Sequence, residues 1–91
     1  MAAHILYFDI GNTNTKIGIE GSGTGLTSYV LPTKGQSTAD RFGLSLLEIL
    51  RHLGLAPESI TAAVASSVVP EMSLMIKQAC KRFLALDLLF A

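Results

Sequence analysis

A single cysteine, Cys80, leaves the chain without any intrachain disulfide framework. That scarcity points to a reducing, cytoplasmic setting. Neither sign of charge is in excess, since 7 Lys and Arg balance 7 Asp and Glu. The balance disfavours a basic nucleic-acid module, whose footprint is a cluster of Lys and Arg. It equally disfavours an acidic tail or a disordered chain. Charged residues reach only 15%, against about 25% in a usual domain. No apolar run approaches the roughly 20 residues of a membrane helix, so no membrane association is expected. Met1-Ala2-Ala3-His4 lacks a positive region, and the apolar stretch behind it soon meets Asp9, so a signal peptide is not expected. No Cys or His stands at zinc-ligand spacing. The Gly21–Gly25 segment matches neither Gly-x-Gly-x-x-Gly nor a Walker loop, and reads as a hairpin tip.

What is present is apolar. Hydrophobic residues make up 49% of the 91, and the mean hydropathy is +0.47. One domain with a core fits this length. The oily composition suggests that part of its apolar surface lacks a cover.

Punctuation and period give the elements. His4 to Ile10 is an apolar run closed by Gly11 and Asn12, a strand and a turn. Thr15 to Glu20 alternates, with Ile17 and Ile19 on one side. Leu26 to Leu31 is a third strand, ended by Pro32. From Ala39 to Leu53 the period becomes helical, through Phe42, Leu46, Ile49, Leu50 and Leu53. Ser37 and Thr38 offer N-cap chemistry, with Asp40 completing a weak capping box, and Gly54 is a stop. Ile60 to Ser66 is a strand of small apolar residues, expected to be covered on both faces. Pro70 opens a second helix, with Met72, Ile76, Ala79, Cys80 and Phe83 on one stripe. Asp87 to Phe90 begins a fifth strand. The order β-β-β-α-β-α-β predicts an α/β fold with a mixed sheet: an antiparallel meander on one side and parallel, helix-connected strands on the other.

The chemistry concentrates in one octet, Asp9-Ile10-Gly11-Asn12-Thr13-Asn14-Thr15-Lys16. An acid closes a strand, and Gly, two Asn and two Thr form a tip rich in donors. Such a tip suits phosphate oxygens. Asp9 suits Mg²⁺ through water, and Lys16 suits phosphate charge. A plain Asn/Gly hairpin turn uses the same residue types, so both readings stand on spacing alone.

The motif Asp9-x-Gly11-Asn12-Thr13 resembles the phosphate loop of the acetate-kinase, sugar-kinase, Hsp70 and actin superfamily. The whole octet is similar to the N-terminus of type III pantothenate kinases. Some of these carry an older label as Bvg accessory factor-like transcriptional activators. Thr38-Ala39-Asp40 and Ser66-Ser67-Val68-Val69-Pro70 resemble two further family segments, in order and spacing. The resemblance covers essentially all of residues 1–91.

It implies a ribonuclease H-like lobe with strand order 3-2-1-4-5 and strand 2 antiparallel to the rest. It implies transfer of the ATP γ-phosphoryl group to pantothenate, the first committed step towards coenzyme A. It also implies Mg²⁺, a monovalent cation such as K⁺ or NH4⁺, and a homodimer of two-lobed subunits. By position, Asp9 would be the catalytic and metal-binding carboxylate. Gly11, Asn12, Thr13, Asn14, Thr15 and Lys16 would form the phosphate loop. Other members are apolar at the position of Lys16. The family's Gly-x-Asp-Arg signature, which carries its base, is not matched. Asp40-Arg41 has Thr38 in place of the Gly and opens a helix, so the role is not transferred. The expectation is therefore a single N-terminal lobe, without the second lobe and inactive alone. The alternatives are a non-catalytic regulatory module and a self-associating structural domain with an uncovered face.

Overall fold

The computed structural model describes residues 3–21, 25–33 and 38–91. Strands β1 (His4–Ile10), β2 (Asn14–Gly21) and β3 (Gly25–Pro32) are followed by helix α1 (Ala39–His52). Strand β4 (Ile60–Ser67), helix α2 (Pro70–Leu84) and strand β5 (Leu88–Phe90) complete the order. The sheet runs β3-β2-β1-β4-β5. β2 is antiparallel to β1 and β3, while β4 is parallel to β1 and β5. This is the mixed sheet that the punctuation predicts.

Crossover handedness decides where the helices lie. β3, β4 and β5 point the same way, and both crossovers move across the sheet in one direction. Right-handed connections then put α1 and α2 on the same face. The α1–α2 packing agrees with this. The expectation that β4 is covered on both faces is therefore wrong among the described residues. Ile60, Ala63 and Ala65 are buried, whereas Ala62 and Val64 are half-buried and Ser66 is exposed. A shift of register between His4 and Ile5 makes Thr61 the extra residue of β4, so Ile60 and Ala63 both face inward.

The core lies between the sheet and the two helices. Leu6, Phe8 and Ile10 of β1 and Ile17 and Ile19 of β2 meet Phe42, Leu46 and Leu50 of α1 and Ile76, Ala79 and Cys80 of α2 in one cluster. The Phe8 and Phe42 rings stand 5.9 Å apart, tilted by 54°. Gly43 of α1 faces α2, and a Cβ on it would run into the Phe83 ring. Phe83 therefore lies over the bare α1 backbone, rather than on the fully buried stripe. Burial also pushes the Cys80 thiol up to about 12.

The helix ends follow local chemistry. Thr38 Oγ1 accepts from Arg41 N–H at 3.0 Å. Ser37 of the expected cap lies outside the described residues. Asp40 pairs with Arg82, tying α1 to α2. Beyond α1, the Gly54 and Leu55 N–H groups close onto the Arg51 and Leu50 carbonyls at 3.0 and 2.9 Å, which is the expected stop. Pro70 occupies the first turn of α2. Residues 22–24 of the expected Gly21–Gly25 tip lie outside the described residues.

Candidate functional site

The octet becomes the end of β1, a tight turn and the start of β2. Gly11 N–H donates to Asn14 C=O at 3.0 Å, closing the turn. A Cβ at Gly11 would stand 3.0 Å from that same oxygen, so a side chain there would require the turn to give by a few tenths of an ångström. Val68 N–H donates to Ile10 C=O at 3.2 Å, fastening the Ser-Ser-Val-Val segment beside the tip.

Strand alternation sorts the predicted residues. Asp9 pairs in register with Lys16 on one side and Ser66 on the other. All three are exposed. They form a row across β2, β1 and β4 on the face away from the helices. Asp9 and Lys16 line a shallow cavity of about 420 Å³ that continues to Tyr7, Gly18, Glu20 and Leu26. Tyr7 Oη donates to Glu20 Oε1 at 2.9 Å. That hydrogen bond raises the phenol above its ordinary value, with smaller contributions from desolvation and the Glu20 charge.

Asn12 and Thr13 look the other way. They line a second hollow with Thr33, Val69, Glu71 and Met72, between the tip and the start of α2. Asn14 is exposed at the start of β2. Thr15 is fully buried. Its Oγ1 lies 2.9 Å from Thr33 Oγ1, and Thr33 donates to Gly11 C=O at 2.7 Å. The structure thus brings Asp9 to Lys16 and Asn12 to Thr13. It holds the two pairs on opposite sides of one turn and places Thr15 beneath it. Ser67 accepts from Val69 N–H at 3.0 Å and shapes the entry to α2, while Ser66 stays in the exposed row.

Sequence reasoning missed Thr33. It lies 18 residues from its partner Thr15, and no local pattern links the two. Only the pairing of β2 with β3 brings them together.

No group of three His, Cys, Asp or Glu among the described residues could hold a metal ion by itself. The donor set is one exposed carboxylate beside hydroxyl and amide groups. That set fits an ion which keeps its waters and arrives on phosphates, as Mg²⁺ does.

The model of the type III pantothenate kinase family matches residues 5–91. The chain belongs to the type III pantothenate kinase family. It is 58% identical to a type III pantothenate kinase of Nitratidesulfovibrio vulgaris strain DP4, over 92% of this chain and 32% of the relative. It is 57% identical to that of strain Miyazaki F, over 100% of this chain and 35% of the relative. A Halalkalibacterium halodurans type III pantothenate kinase is 37% identical over 87% of this chain and 31% of its own length. The chain therefore spans about a third of the length of these curated relatives.

Among solved structures, a Bacteroides thetaiotaomicron protein with an actin-like ATPase fold and unknown function superposes with TM-score 0.67 at 11% identity, covering 98% of this chain and 32% of its own. A Pseudomonas aeruginosa protein with similarity to the peptidase YeaZ gives 0.68 at 13%, covering 98% and 43%. At such identities the likeness shows the fold alone. It agrees with the ribonuclease H-like lobe that the family resemblance implies. The relatives named here are all described as kinases, so the regulatory alternative is not borne out.

Proposed function

We propose that this chain is the N-terminal, phosphate-binding lobe of a type III pantothenate kinase. The single observation behind the reading is the turn at Gly11–Asn14, with Asp9 and Lys16 paired beside it, at the end of the central strand. α/β sheets bind ligands outside the carboxyl ends of their strands. Membership of the family supports the substrates: ATP as phosphoryl donor and pantothenate as acceptor, in a cytoplasmic enzyme.

In this reading Asp9 holds Mg²⁺ through water, next to the transferring phosphate. The Gly11 backbone, Asn12, Thr13 and Asn14 contact phosphate oxygens, and Lys16 offsets their charge. Thr15 serves the loop from below. The ion, when bound, neutralises charge that develops on the phosphoryl oxygens. Phosphoryl transfer asks mainly for positioning and charge stabilisation, and a short turn on a rigid sheet supplies both. A monovalent cation and a homodimer of two-lobed subunits complete the reading for the whole protein. The general base is not assigned to these residues. Asp40 is held by Arg82 on the helical layer, while Asp9 is on the opposite face. The isolated chain binds Mg²⁺–ATP weakly and turns over no pantothenate.

Isothermal titration of Mg²⁺–ATP into the chain and its Asp9→Asn variant tests this. Asp9 is exposed, so the variant keeps its fold. Its affinity should fall by about tenfold, the size of one charge-assisted contact. Equal affinities would remove Asp9 from the site.

A further inference from the structure

The hydroxyl pair beneath the turn has a direction. Thr33 Oγ1 carries one proton, and that proton goes to Gly11 C=O at 2.7 Å. The 2.9 Å contact between Thr15 and Thr33 therefore runs from Thr15 to Thr33. The result is a relay: Thr15 O–H to Thr33 Oγ1, then Thr33 O–H to Gly11 C=O. The Thr33 main-chain N–H takes a second loop carbonyl, that of Thr13, at 2.9 Å. One residue just past β3 thus holds both sides of the turn.

Burial marks this as more than filling. Thr15 is 0% exposed and Thr33 is 3% exposed. Thr15 heads an inward row whose next members are Ile17 and Ile19. A valine would occupy the same space without polar groups to satisfy. The row turns polar only where it passes under the loop.

A trans peptide points its C=O and N–H in opposite directions. Holding Gly11 C=O towards Thr33 turns the Asn12 N–H away from it. Holding Thr13 C=O fixes the other side of the turn, where Asn14 C=O faces Gly11 N–H. We propose that Thr15 and Thr33 are positioning residues, a buried relay that presents the Asn12 N–H group to a polyphosphate chain at the tip. The proposal rests on the phosphate-loop reading above and adds how the loop is held in its binding shape.

The test compares the 91-residue chain with its Thr33→Val and Thr33→Ser variants. Amide nuclear magnetic resonance reads the loop, and isothermal titration with magnesium tripolyphosphate reads binding. In Thr33→Val the Gly11–Asn14 amide signals should shift or split, while those of α1 and α2 stay in place. Affinity should fall by about tenfold, as for a misplaced hydrogen bond to a charged group. Thr33→Ser keeps the hydroxyl and should restore both readouts, which a loss of packing would not do. If Thr33→Val does not fold, Thr15→Val carries the test. It removes only the donor behind Thr33 and should move the same amides and weaken binding in the same direction, by less. Equal affinity in the valine variant and in a wild type that binds would overturn the relay and leave the phosphate-loop reading standing. No tripolyphosphate binding by the wild type would overturn both.

Discussion

The two faces of the sheet are built from alternate residues of the same strands, yet they have opposite character. On the helix side, Leu6, Phe8, Ile10, Ile17 and Ala65 are all at most 2% exposed. On the other side, Leu26 is 65%, Val30 57% and Leu89 61% exposed. The first face holds the fold together. The second carries Asp9, Lys16 and Ser66, the groups free to meet a ligand. At the tip of β1 the two meet, because the buried Thr15 and Thr33 support a turn whose exposed residues form the proposed phosphate loop. Stability and binding are thus separated by one residue of register.

Removing core volume should give the largest contrast between the faces. Phe42→Ala deletes a fully buried ring against Phe8 and should cost about 3–5 kcal/mol. Leu26→Ala, on the open face, should change stability by no more than about 0.5 kcal/mol. Urea unfolding of both variants measures the difference. Similar losses would mean that the open face also carries the fold.

A smaller effect is expected where the helices meet. Gly43→Ala drives a methyl group into the Phe83 ring and should cost about 1–3 kcal/mol by overpacking. Adding Phe83→Ala should recover part of that loss, since it opens the space again. A Gly43→Ala variant as stable as the parent in thermal unfolding would show that the helices are not locked at this point.

The smallest effect belongs to the open face. The Glu20 hydrogen bond raises the Tyr7 phenol. A raised value in the folded state favours the neutral form. The contribution is therefore complete below the ordinary value of 10 and is lost as the pH climbs through the raised one. Glu20→Gln should bring the Tyr7 titration back towards 10, as followed by phenolate absorbance. An unchanged midpoint would show that Glu20 does not hold the hydroxyl in solution.

Much of this was legible in the chain. β1 reads as His4 to Ile10 because it is an apolar run closed by Gly11 and Asn12. The stop at Gly54 and the start at Pro70 were equally local signals. The octet stands out because its donors are contiguous. Other features depend on distant partners. Asp40 reads as cap chemistry until Arg82 is seen across the helix pair. β4 reads as doubly covered because its residues are small and apolar, and only the common hand of two crossovers leaves one side open. Thr15 reads as a loop ligand because it adjoins the loop, but alternation points it inward, to a Thr33 that no local pattern connects with it.

The most direct measurement is an amide chemical-shift map of the 91-residue chain during titration with Mg²⁺–ATP. Shifts confined to Asp9–Lys16, Thr33 and Ser66–Val69, and weakened by Asp9→Asn, are the predicted result. Shifts centred instead on Gln78, Lys81 and Arg82 of the helical layer, or none at all, would contradict the placement of the phosphate site at the tip of β1.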